Sequence, residues 1–144
     1  MGAAQVDESG NVNVSQFGVR FAGVGGFVNI SQNARRLVFC GTLTTDGLEV
    51  VFEDGRLRIL KEGRIAKFVK QVQQVSFSGP LARQAGQDIL FVTERAVFRL
   101  QPKGLELIEV APGIDVQRDV VERMEFTPII RAVGQMKICE EAQL

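Results

Sequence analysis

Histidine is absent from this 144-residue chain, and so are tryptophan and tyrosine. Without imidazole there is no Ser–His or Cys–His nucleophile pair and no histidine ligand for zinc. The only cysteines, Cys40 and Cys139, stand far apart and match no metal-ligand spacing. Cys40 closes the run Leu37-Val38-Phe39 and reads as a small buried apolar residue, whereas Cys139 lies in a polar C-terminal stretch and reads as an accessible thiol. Neither sign of charge is in excess: 17 Lys+Arg stand against 17 Asp+Glu. No basic run marks a nucleic-acid or membrane-surface partner. No apolar run reaches the roughly 20 residues of a membrane span. The N-terminus lacks the basic and apolar regions of a secretory signal, which points to a cytoplasmic chain. Met1-Gly2-Ala3-Ala4-Gln5-Val6 misses the Ser or Thr of a myristoylation site. Any chemistry must come from carboxylate, amide or backbone groups.

What is present is ordinary globular material: 45% hydrophobic and 24% charged residues, enough for one domain with a real core. The patterning reads as mixed α/β. Gln5-Val6 and Val12-Asn13-Val14 flank the turn-rich Asp7-Glu8-Ser9-Gly10-Asn11 and predict a hairpin. A short helix over Phe27 to Ala34 precedes a strand from Leu37 to Leu43. Leu48 to Phe52 and Leu57 to Leu60 surround Asp54-Gly55, a second hairpin. Phe68 to Val72 and Val75 to Phe77 alternate as a half-buried strand does. Gly79-Pro80 then breaks the pattern ahead of a helical turn over Leu81 to Gln84. Three further strands follow at Ile89–Thr93, Ala96–Leu100 and Leu105–Val110. A last helix, capped by Asp115, carries Val116, Val120, Val121 and Met124 as an apolar stripe. Residues 1–133 form the domain, and 134–144 read as a tail.

The densest glycine cluster is Gly23-Val24-Gly25-Gly26-Phe27, leading straight into the predicted helix. Glycine loses more backbone freedom on ordering than any other residue, so such a cluster belongs where main chain turns sharply or comes close to another group. Backbone N–H groups at a helix start favour an anion or a developing oxyanion. Turning a strand into a helix accounts for Gly23, Gly25 and Gly26 equally well. Asn11, Asn13 and Asn29 are candidates to shape a pocket through amide hydrogen bonds, with turn or cap roles as the alternative. Arg35-Arg36 reads as a basic pair complementing a helix end, Thr93-Glu94-Arg95 as a tight turn with a local ion pair, and Glu62-Gly63 as a solvated turn.

Several strings together resemble the family I coenzyme A transferases: Gly2-Ala3-Ala4-Gln5-Val6-Asp7, Gly10-Asn11-Val12-Asn13, Gly23-Val24-Gly25-Gly26 and Arg36-Leu37-Val38-Phe39. Val92-Thr93-Glu94-Arg95-Ala96-Val97-Phe98 and the stretch from Gly104 to Gly113 agree with them. The hairpin from Leu48 to Leu60 and Phe77-Ser78-Gly79-Pro80 resemble the short-chain acyl-CoA:acetate/3-ketoacid branch. The resemblance runs through nearly all the chain and implies the C-terminal part of the family's second, or beta, half. The implied fold is an open mixed α/β sheet of the NagB/RpiA/CoA transferase-like type, partial, with several parallel strands and an antiparallel hairpin region.

The resemblance also implies a chemistry. Such enzymes move coenzyme A between a short-chain acyl-CoA and a carboxylate or 3-ketoacid through a glutamate nucleophile, with no cofactor beyond the coenzyme A thioester itself as substrate. That glutamate belongs to a Glu-x-Gly segment upstream of the Gln-Val-Asp stretch, so no residue here matches it and the chain alone is expected to be inactive. The Gly23, Gly25 and Gly26 loop is implied to support the thioester carbonyl. Association is implied as well, either as a homo-oligomer or with the upstream half. The alternative is a stand-alone, catalytically inactive binding or interaction module.

Overall fold

Alternation with period two places one apolar row on each strand's inner face. From Arg36 to Cys40 the pattern is strict: Leu37 and Phe39 are buried while Arg36, Val38 and Cys40 face outward. Cys40 is therefore exposed, not buried; its apolar neighbours in sequence lie on the opposite face of its strand. In the computed structural model residues 1–138 are described.

The elements in chain order are β1 (Gln5–Asp7), β2 (Val12–Asn13), β3 (Gln16–Phe17), β4 (Arg20–Phe21), α1 (Phe27–Asn33), β5 (Arg36–Cys40), β6 (Thr44–Thr45), β7 (Glu49–Glu53), β8 (Arg56–Lys61), β9 (Ile65–Ala66), β10 (Phe68–Val69), α2 (Gly79–Gln84), β11 (Asp88–Val92), β12 (Ala96–Gln101), β13 (Gly104–Val110) and β14 (Ile129–Gln135). Between β13 and β14 a single π-helical turn, Val116–Val120, runs into a 3₁₀ turn, Val121–Arg123. Asp115 caps it as expected, its carboxylate accepting from the Arg118 amide at 2.7 Å. The strand β14 continues to Gln135, two residues into the segment read as a tail; Cys139 lies outside the described residues.

The main sheet has the order β14-β13-β12-β11-β5. Its outer pairs, β5 with β11 and β13 with β14, are parallel, and the central β11, β12 and β13 are antiparallel. This is the mixed α/β sheet expected. A smaller sheet, β10-β1-β2, contains the predicted first hairpin and pairs β1 parallel to β10. The half-buried strand expected after Phe68 shrinks to β10, because the chain then leaves the sheet; Ser76 and Phe77 return, both amides donating to the Val12 carbonyl. The β7–β8 hairpin turns at Asp54 and Gly55, with φ of 51° and 70°, as a two-residue turn of the primed type requires.

Phenylalanine joins the layers. Phe39 stacks on Phe91 at 5.1 Å, meets Phe77 edge-on at 5.3 Å and approaches Phe27 of α1 at 6.1 Å. Phe68 of the small sheet lies 4.9 Å from Phe98 of the large one. Glycine 79 lets α2 approach the first hairpin, since a Cβ there would strike the Ser9 carbonyl and the Gly10 backbone.

Arg95, at the head of β12, is wholly buried. It holds the local ion pair expected, Nε to Glu94 at 2.5 Å, and a larger network besides. Its Nη1 and Nη2 donate to the two oxygens of Glu62 at 2.8 and 2.9 Å, and Nη1 also to the Asp119 carbonyl at 3.0 Å. Glu62 further accepts from Thr44 Oγ1 at 2.5 Å. Glu62-Gly63 is thus no solvated turn: a Cβ on Gly63 would lie 2.5 Å from the Thr45 carbonyl. Arg36 does not serve a helix end either, but pairs with Asp88 on the adjacent strand at 2.9 Å.

Burial alone would raise the Glu62 pKa, but hydrogen bonds and charge from Arg95, with Thr44 and the Gly63 amide, outweigh it and hold the carboxyl below its ordinary value. Arg118 holds Asp119 low as well, against its burial. Carboxyls lowered in the folded state stabilise it above their unfolded pKa, and that stabilisation is lost as pH falls through the folded pKa. The urea midpoint is expected to drop on acidification below about pH 4. Arg95→Met should cost about 3–5 kcal/mol by leaving buried carboxylates without their counter-charge. Adding Glu62→Gln and Glu94→Gln should recover part of the loss. Urea titrations of the three proteins at neutral pH check this; equal midpoints would mean the network contributes nothing net.

Candidate functional site

The glycine loop stands on the surface between the β3–β4 ribbon and α1. It enters α1 by a turn in which the Phe27 amide donates to the Val24 carbonyl at 3.0 Å and the Ile30 amide to the Gly26 carbonyl at 3.1 Å. Gly25 has φ of +51° and needs glycine for its backbone alone. Gly26 sits at φ −78° in helical conformation, so its lack of a side chain is not a backbone requirement. A Cβ would meet nothing within 4 Å at Gly23 or Gly25, and only Ile30 Cδ1 at 3.7 Å at Gly26. Close packing within this chain therefore does not explain the three glycines.

Burial of Phe27 against Phe39 anchors the helix that follows. Its far end is tied to the sheet by Gln87, whose Nε2 donates to the carbonyls of Ser31 and Ala34 at 2.8 and 2.6 Å. The amides of Gly25 and Gly26 donate to no backbone carbonyl among the described residues. Beside the loop runs an open groove of 440 Å³ lined by Gly2, Ala3, Ala4, Val14, Phe17, Gly23, Val24 and Phe27. Gly23 belongs to that lining and Gly25 and Gly26 do not. Among the described residues no titratable side chain lines it.

The asparagines divide differently. Asn13 is completely buried and saturated: Nδ2 donates to Gln5 Oε1 at 2.8 Å and the Gln16 carbonyl at 2.7 Å, while Oδ1 accepts from the Ser15 and Gln16 amides. Asn11 bridges Asp7 and the Gly79 amide at 3.2 and 3.1 Å. Both spend their amides holding turns. Asn29 is exposed on α1, one turn from the glycines. Among the described residues no group of three or more His, Cys, Asp or Glu could hold a metal ion, and no helix is long and apolar enough to cross a membrane.

Lys67 is the charged residue near this region that the sequence reading passed over. It lines a 410 Å³ groove that shares Ala4 and Phe17 with the one beside the glycines. Its signal in the sequence is a single cation inside Ile65-Ala66-Lys67-Phe68-Val69.

No protein-family model matches the chain. It is 44% identical over 138 residues to acetate CoA-transferase YdiF of Escherichia coli K12, covering 96% of this chain and 26% of that protein. It is 50% identical over 137 residues to caffeate CoA-transferase of Acetobacterium woodii, covering 92% of this chain and again 26% of the relative. The chain thus spans about a quarter of the length of the curated relatives it matches. Among solved structures, the E. coli O157:H7 acyl-CoA transferase YdiF has a TM-score of 0.93 as apoenzyme, at 44% identity over 94% of this chain and 27% of that one, and 0.92 as a thioester complex with CoA. Glutaconate coenzyme A-transferase from Acidaminococcus fermentans, 20% identical over 95% of this chain and 51% of its own, shares the fold at a TM-score of 0.67. In sequence and in backbone path, the chain matches a segment of the coenzyme A transferases.

Proposed function

We propose that this chain is the C-terminal part of the second half of a coenzyme A transferase that moves coenzyme A between a short-chain acyl-CoA and a carboxylate or 3-ketoacid. The observation that carries the reading is identity of 44% and 50% over more than nine-tenths of the chain to two enzymes named as CoA-transferases. The names of those relatives, acetate and caffeate, differ in the acyl group, so identity alone selects no acid.

In this reading a glutamate carboxylate from the upstream portion attacks the thioester carbonyl. The new C–O bond forms as the carbonyl pair moves onto oxygen, and collapse breaks C–S to give a mixed anhydride and coenzyme A thiolate. The thiolate then attacks the glutamyl carbonyl, expelling the acyl carboxylate and leaving a glutamyl-CoA thioester. The acceptor carboxylate reverses the sequence. Each attack develops an oxyanion, and backbone N–H donors fixed beforehand stabilise such charge by about 3 kcal/mol each. Gly25 and Gly26, with amides unengaged by carbonyls and space where side chains would stand, fit that task.

Two measurements test this. The chain alone is expected to transfer no coenzyme A from acetyl-CoA to acetoacetate, and to do so once the upstream portion is supplied. Turnover by the pure chain that disappears on substitution of one of its own glutamates would overturn the reading. In the combined protein Gly26→Ala should lower turnover roughly 100-fold, because the amide stays but the new methyl misplaces the carbonyl that must approach it. At φ −78° and with ordinary contact to Ile30, the same change should leave the melting temperature unchanged or slightly higher. Lost stability with normal activity would make the loop a turn and nothing more.

A further inference from the structure

Lys67 is a half-buried cation. Among the described residues no carboxylate forms a salt bridge with it. Glu94, whose charge it feels, is engaged already: one oxygen holds Arg95 Nε at 2.5 Å and the other accepts from the Leu43 amide at 2.9 Å. Burial lowers the Lys67 pKa, and Glu94 opposes that shift without cancelling it. An ammonium drawn partly out of water with no partner destabilises the fold. Its ammonium lies over Gly41, where a Cβ would stand 2.9 Å from Nζ and the flexible lysine would have to shift.

The position gives this cation a use. Lys67 lines a narrow crevice with Cys40, Gly41 and Val92 at the carboxyl ends of the parallel strands β5 and β11. Ligands of open α/β sheets bind at that end of the strands. It also lines the 410 Å³ groove that meets the glycine-loop groove at Ala4 and Phe17. Two adjoining grooves that share Ala4 and Phe17 therefore separate Gly23, in the lining of one, from Lys67, in the lining of the other.

We propose that Lys67 binds an oxyanion, carboxylate or phosphate, of the ligand that occupies these grooves. The ligand's identity rests on the coenzyme A transferase reading, in which the acid carries the one group and coenzyme A the other. The bound anion supplies the missing counter-charge, so the cost of the unpaired ammonium is recovered only when ligand is present.

The test uses this chain supplied with the upstream portion. Reductive methylation of lysines, read by peptide mass, is run with acetate, inorganic phosphate or coenzyme A present. Lys67 should be protected, with the exposed Lys103 as internal control. Protection by acetate assigns the carboxylate, and protection by phosphate and coenzyme A assigns the phosphate. No protection by any of the three overturns the proposal. Lys67→Met should raise KM for the protecting ligand about tenfold or more with little change in kcat, and Lys67→Arg should restore part of it. The unliganded melting temperature of Lys67→Met should be unchanged or higher. A lower melting temperature with unaltered KM would mean that Lys67 pairs with a protein group, and would sink the assignment. Protection of Lys67 in a protein that transfers no coenzyme A would leave this site standing and remove the transferase reading.

Discussion

A guanidinium with no access to water sets the arrangement of the central part of this molecule. Arg95 gathers Glu94 from its own turn, Glu62 from the end of the β7–β8 hairpin and the Asp119 carbonyl from the π-helical turn. A buried charge of this kind tolerates little displacement, because each lost partner leaves another charge uncompensated in a medium of low dielectric. Three segments far apart in sequence are thereby held to one point. The net gain from such a network is small against an apolar equivalent, but it is directional where apolar packing is not.

The apolar counterpart is the phenylalanine cluster around Phe39. It links both sheets to α1 through one residue of β5. Because β5 ends beside Cys40 and Gly41, the same strand that seats α1 also delivers the crevice holding Lys67. The glycine loop and the lysine are thus referred to a common rigid element, the arrangement a binding site requires if it is to be preformed. The glycines themselves contribute no packing, and Gly25 supplies the positive φ of the turn into α1.

Much of the fold was legible because the strands are short, strongly alternating and separated by turn residues with one preferred geometry. Asp54-Gly55 specified a hairpin and Gly23 to Gly26 a helix entry, and both are where the residues placed them; the helical turn expected over Leu81 to Gln84 starts two residues earlier, at Gly79, with Ser78 as its cap. Cys40 was misplaced because hydrophobic neighbours in sequence say nothing about which face of a strand a residue occupies until the register is known. Glu62-Gly63 reads as a solvated turn, and Arg95 as the partner of Glu94 alone, because charged side chains are seldom buried unless paired and the Arg95–Glu62 pairing spans 33 positions of the chain. The glycine loop was found by composition, but the residue needing positive φ is Gly25, and Gly26 is helical.

By itself the sequence determined the local matter: period-two strands, turn chemistry, the absence of imidazole, the balanced charge and the glycine entry to α1. These follow from steric and hydrogen-bonding rules acting over a few neighbouring residues. Only the tertiary structure decided which charges are buried together, that Cys40 is exposed, and that the N-terminal residues line adjoining grooves beside Gly23 and Lys67. Those outcomes depend on contacts between segments separated by tens of residues, where burial and electrostatics act through space and sequence proximity carries no information about them.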